Sequence, residues 1–143
     1  MKVAVSACLW GEICRYDGAC KENLHVKKRF EGCEVVLFCP EAPVLGTPRE
    51  RISVVCNEGQ YRTIGDESGR DVTALLQEQT AQLIAEHPDL DAIVLKSKSP
   101  SCGIGTTPIV DANQTLLRYG NGIAAAMLLE HYRHIEIIDE TMV

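Results

Sequence analysis

Apolar residues along this chain come in short blocks, and the spacing inside the blocks alternates between strand-like and helix-like. "KVAVSA" (2–7) is a β-branched run that stops at Cys8, with Gly11 and "YDG" (16–18) marking a loop behind it. In "ENLHVKKRFE" (22–31) apolar positions 24, 26 and 30 lie among charges ahead of Gly32, which predicts a short helix with a glycine stop. "EVVLF" (34–38) then reads as a fully buried strand that ends at Cys39 and Pro40. Three prolines and a glycine in "PEAPVLGTPRE" (40–50) predict a shaped loop with no regular element.

"RISVVC" and "YRTI" around "NEGQ" predict a hairpin. In "GRDVTALLQEQTAQLIAEHP" (69–88) apolar residues at 72, 75, 76, 83 and 84 predict a helix capped by Asp71. "DAIVLKS" (91–97) follows as a third buried strand and runs directly into "SPSCG". "TPIVDANQTLLRYGNG" (107–122) reads as mostly irregular with a small extended excursion, "GIAAAMLLEHYR" as a helix of small residues, and "IEIID" (135–139) as a closing strand. Strands alternating with helices at this spacing predict an α/β fold: one domain over 1–143, with a mainly parallel, Rossmann-like sheet flanked by helices. In such a sheet the site lies at the C-terminal ends of the strands.

Composition narrows the function. A formal charge of −6 argues against a large nucleic-acid surface, because phosphate affinity comes from clustered Lys and Arg. The one dense basic stretch, "HVKKRF" (25–30), suits a solvated helix face. "MKVAVSACLW" has too few apolar residues for a signal peptide or a membrane span, which leads us to expect a cytoplasmic protein away from membranes. Nothing in the pattern speaks to oligomeric state. Seven cysteines in a reducing compartment point to metal or catalytic thiols rather than disulfides.

Cys8, Cys39 and Cys102 each follow the end of a predicted parallel strand, so neighbouring strands would bring all three to one crevice. Taken singly, each also suits a small buried hydrophobe. Together they suit zinc with a fourth ligand, an iron–sulfur cluster or redox chemistry. No close C-x₂₋₄-C pair exists, which weakens zinc, whereas a larger inorganic core is readily held from separate loops. Three ligands on a four-iron core leave one iron open for Lewis-acid chemistry, and sulfur-containing substrates suit that iron. Cys33 and Cys56 read as packing residues, Cys20 as loop, and Cys14 as the candidate fourth ligand.

"VSACLWGEICRYDG" (5–18), "CPE" (39–41) with "TPR" (47–49), "KSKSPSCG" (96–103) and "GNGIAAAMLL" (120–129) resemble the thiouracil desulfidase family, in family order and over nearly the whole chain. The resemblance implies an oxygen-sensitive [4Fe-4S] cluster held by Cys8, Cys39 and Cys102, with the thiocarbonyl sulfur of a thiolated uracil on the open iron and non-redox chemistry. It also implies catalytic roles for Glu41 and for a serine of "SPSC", Ser99 ahead of Ser101, although either hydroxyl also suits satisfying turn amides. A carboxylate two residues from a cluster ligand suits accepting a proton from water. Arg15, Asp17 and Arg49 fall at the same crevice as candidate substrate-binding residues; either arginine suits a uracil carbonyl or a phosphate, and Arg15–Asp17 also suits a loop-fixing ion pair. Longer relatives carry RNA-binding domains, and this acidic chain without one suits a small thiolated pyrimidine, with 2- or 4-thiouracil as base, nucleoside or mononucleotide all open. "APVLGTPR" and "VDANQTL" depart from the family pattern and put substrate identity in doubt. Two competing readings are a zinc or iron–sulfur sensing module closed by Cys14, and a bare thiol enzyme with Cys102 as nucleophile.

Overall fold

The computed structural model describes residues 1–143. Its main layer is a parallel sheet in which β1 (Lys2–Ser6) and β5 (Ala92–Leu95) are central, β2 (Glu34–Phe38) and β8 (Glu136–Asp139) flank them, and the order is β2-β1-β5-β8. Successive strand residues point to opposite faces. Ala4, Ile93 and Leu95 therefore enter one core with Leu83 of α3 (Thr73–Glu86) and with Ala124, Ala125 and Leu128 of α4 (Ile123–His131). Val3, Val5, Ala92 and Val94 enter a second core on the other face with Phe30 and with Val26 of α1 (Leu24–Arg29). Each fully buried Val, Leu or Ile here contributes roughly 1.5–3 kcal/mol. The expected mainly parallel α/β sheet with helices on its faces is present.

Four details differ from expectation. β2 is an edge strand, so "EVVLF" is only partly buried and Leu37 is 39% exposed. Residues 42–45 form a helical turn, α2 (Ala42–Leu45), because a proline in the first turn lacks only an N–H that would be unpaired anyway. α1 is shorter than predicted, since Asn23 takes the cap position and its side chain accepts from the Val26 amide at 3.0 Å.

The largest difference is a second sheet, order β4-β3-β6-β7. The predicted hairpin is its β3 (Ile52–Asn57) and β4 (Gln60–Gly65), turning at Glu58 and Gly59, both with positive φ. The stretch read as mostly irregular supplies β6 (Thr107–Val110), parallel to β3, and β7 (Leu116–Gly120), antiparallel to β6. A proline inside β6, a register shift at Ile109/Val110 and the exposure of β7 remove the alternating signal that marks a strand. No helix is long and apolar enough to cross a membrane.

Val72, not Asp71, holds the cap position of α3 and makes no side-chain cap bond; Asp71 stands one residue earlier, where Oδ1 accepts from the Thr73 amide at 3.0 Å and Oδ2 from Arg62 Nε at 2.7 Å. The Arg62 hydrogen bond is the main force holding the Asp71 carboxyl down to about 2. A depressed folded pKa gives stability that is complete above the unfolded value, ~3.9, and lost as pH falls through about 2. Asp71→Ala should cost up to about 1 kcal/mol at neutral pH, the range of an exposed ion pair, with the gap to wild type closing in acid; urea titrations at pH 7 and in the acid range read both.

Candidate active site

The C-terminal ends of β1, β2 and β5 lie side by side, with Ser6 in register with Phe38 and Val5 with Val94. A 3-10 turn after β1 (Ala7–Trp10) carries Cys8, Cys39 directly follows β2, and the loop after β5 carries Cys102. All three line one cleft of about 600 Å³, together with Cys14, Glu41 and Ser101. The strand-end argument thus brings its three cysteines to one crevice.

Cys14 is there as well, buried beside two of them. Its hydrogen bond with Cys39 draws its thiol down, but the bond with Cys8 and burial outweigh this and leave it pushed up to about 11. The bond with Cys14, aided by burial, pushes the Cys39 thiol far above its ordinary range. Burial, then the neighbouring Cys39 and Glu41 charges, push Cys102 up to about 12. These thiols share a place where several negative charges repel one another, so only a strongly cationic core would hold several as thiolates. The raised Cys102 thiol also argues against the bare nucleophile, which needs a depressed pKa. A zinc site gathers its donors at ~2.3 Å sulfur bonds, and no group of three or more Cys, His, Asp or Glu side chains stands at the spacing of a single ion.

Glu41, at the start of α2, is 7% exposed and bonded on both oxygens. Oε2 accepts the Ser101 hydroxyl at 2.5 Å, and Oε1 accepts Arg49 Nε and NH2 at 3.2 and 3.1 Å. Arg49 NH1 donates to the carbonyls of Cys14 and Gly46 at 2.8 and 2.9 Å. Its guanidinium is committed to the carboxylate and the loop, so it orients Glu41 rather than offering an open fork to substrate.

The two serines make different contacts, although their hydroxyls lie 3.3 Å apart. Ser99 Oγ accepts from the Cys102 amide at 3.1 Å and the Ser101 amide at 3.3 Å, so it braces the turn. Ser101 is fully buried, sits against Cys102 Sγ at 3.8 Å and reaches Glu41. Its carbonyl accepts the Ala124 and Ala125 amides at the start of α4, and Gly122 lies so close to Ser101 that any Cβ would strike that backbone. Arg15 lines the cleft, whereas Asp17 pairs with Arg15 at 3.6 Å and accepts the Ala19 amide, fixing its own loop.

A family model described as 2-thiouracil desulfurase matches residues 3–140, spanning every one of these loops. The chain belongs to the 2-thiouracil desulfurase family. Among solved structures, this desulfurase family member resembles a [4Fe-4S]-dependent thiouracil desulfidase, TudS, with a TM-score of 0.73 and 32% identity over 99% of this chain and 92% of that one. It is also 35% identical over 113 residues to the uncharacterized protein YbbK of Bacillus subtilis, covering 72% of this chain and 74% of that protein.

The sequence did not point to the opposite wall of the desulfurase cleft. Arg51, Ser53 and Asp66 line it from the second sheet, and Tyr16 lies under Arg51, whose NH2 donates to its hydroxyl at 2.8 Å. Their convergence depends on how two sheets meet, and no spacing in the chain encodes it. Glu140 was also unsuspected: its carboxylate accepts the Ser97 amide and hydroxyl at 2.6 and 2.9 Å and pairs with Lys96, anchoring the loop that leads to Ser101.

Proposed function

We propose that this chain is a non-redox desulfidase of thiolated uracil, with a [4Fe-4S] cluster on Cys8, Cys39 and Cys102. The observation that carries this reading is the buried Ser101–Glu41 hydrogen bond directly beside Cys102, in a cleft that Cys8 and Cys39 also line. The donor set fits such a group, since buried thiols that resist ionisation alone are stabilised as thiolates by iron. When bound, the cluster would supply a Lewis-acidic iron with no protein ligand, suited to a thiocarbonyl sulfur.

The reaction balances as C=S plus water giving C=O plus hydrogen sulfide, with no electron donor or acceptor. Glu41 is the proton acceptor for the attacking water, and Ser101, whose own proton points at Glu41 Oε2, relays a proton to it. Arg49 fixes the carboxylate, and Ser99 holds the turn that presents both Ser101 and Cys102. Ser101 therefore takes precedence over Ser99 as the catalytic serine. Arg15, Lys21, Arg51 and Lys98 line the cleft in a chain of net charge −6, which favours a mononucleotide over a free base. The setting is the cytoplasm.

Protein reconstituted without oxygen should release sulfide from 4-thiouridine monophosphate, and more slowly from thiouracil, with loss of the thiocarbonyl absorbance. A cluster-loaded sample that turns over neither compound removes the activity assignment.

Cys14 favours a second reading, a closed and non-catalytic centre, because it is buried against Cys8 and Cys39. Cys14→Ser should keep its iron, sulfide and turnover if the site is open. Loss of metal in that variant, counted by iron and sulfide analysis, would establish the closed centre instead.

A further inference from the structure

Only two carboxylates line the cleft, and they are held differently. Glu41 is bonded on both oxygens, as described. Asp66, just beyond β4 on the opposite wall, accepts the Ser53 hydroxyl on Oδ1 at 2.7 Å and has no protein partner on Oδ2. None of the ion pairs in the chain includes it, although the same cleft holds several cations.

The backbone around Asp66 is fixed on all sides. Its amide donates to the Arg51 carbonyl at 2.8 Å, and the next two amides, of Glu67 and Ser68, donate to Glu50 Oε1 at 2.9 and 3.0 Å. Asp66 is exposed at the cleft, and a carboxylate held on one oxygen by Ser53 over a bonded backbone, with the other oxygen unpartnered, is a preorganised acceptor. Thiolated pyrimidines offer two kinds of donor: the ring N–H, and in nucleosides the ribose hydroxyls.

We propose that Asp66, oriented by Ser53, determines specificity by accepting an N–H or O–H of the substrate on Oδ2. This rests on the desulfidase reading. It assigns the second sheet a role: the first sheet holds the reacting end of the substrate and the second selects what is attached to it.

The test is Asp66→Asn, which keeps the size and an acceptor for Ser53 but removes the charge. Loss of a hydrogen bond to a charged group predicts a KM about 10- to 100-fold higher, with kcat and iron content close to wild type. A loss on 4-thiouracil and 4-thiouridine monophosphate alike identifies the ring N–H as the donor; a loss on the nucleotide alone identifies the ribose hydroxyls. Calorimetric binding of uridine monophosphate to cluster-free protein supplies a readout independent of turnover, and the variant should bind it about 10-fold or more weakly if the hydroxyls or ring N–H are held. Wild-type turnover with an unchanged KM and unchanged nucleotide binding in Asp66→Asn overturns the proposal. Absence of turnover in cluster-loaded wild type that still binds the nucleotide overturns the desulfidase reading and leaves the contact itself to be judged by calorimetry.

Discussion

Cys102→Ser protein, purified and reconstituted without oxygen, is expected to hold little iron or sulfide and to release no sulfide from a thiolated uracil. Serine matches cysteine in size but not in affinity for iron, and the loss of one thiolate of three leaves two attachment points on separate loops. Cys102 is 4% exposed in the core between the sheet and α4, so the substitution also leaves a hydroxyl among apolar groups. Folding must therefore be measured alongside, by circular dichroism and by thermal unfolding of the cluster-free proteins. Cys56→Ser serves as the reference, because Cys56 lies on β3 and does not line the cleft. It should match wild type in iron, sulfide and rate. Full iron content in Cys102→Ser, or equal loss in Cys56→Ser, would refute the ligand assignment.

Glu41→Gln is expected to keep the cluster absorbance and iron content while kcat falls by about 10²- to 10⁴-fold, the usual contribution of general acid–base catalysis. The amide has the same shape and still accepts from Arg49, so the cleft is not reshaped. What it lacks is the capacity to take a proton through Ser101, whose hydroxyl now sits 2.5 Å from Oε2. Ser101→Ala should lower kcat in the same direction. Ser99→Ala should act mainly on stability and lower kcat less than Ser101→Ala, because Ser99 Oγ accepts the Cys102 and Ser101 amides and meets Glu41 only through the Ser101 hydroxyl, 3.3 Å away. A Glu41→Gln enzyme with wild-type kcat ends the proton-transfer role, and one that loses its iron shows that Glu41 supports the cluster instead.

Much of the first sheet was legible because its central strands are buried on both faces, and the runs in "KVAVS" and "AIVL" announce that directly. The cysteines were legible for a related reason: parallel strands share a direction, so a residue just past each strand end lands at one edge. The division of labour between Ser99 and Ser101 was not. Both lie in one tight turn, and only the fold decides which hydroxyl meets a carboxylate arriving from residue 41. The place of Arg49 beside Glu41 was hidden for the same reason, since its partners at Cys14, Glu41 and Gly46 come from two different loops. The second sheet left almost no trace, because β7 is exposed along most of its length and so carries no burial pattern.

Glu41 lies in the stretch of chain that crosses from β2 of one sheet to β3 of the other. Cys39 lies in the same stretch, two residues before Glu41, and its sulfur accepts the Ala42 amide at 3.4 Å. A shift of one layer against the other would therefore act on a cysteine of the cleft and on the carboxylate together, so that metal content and turnover should fall in step.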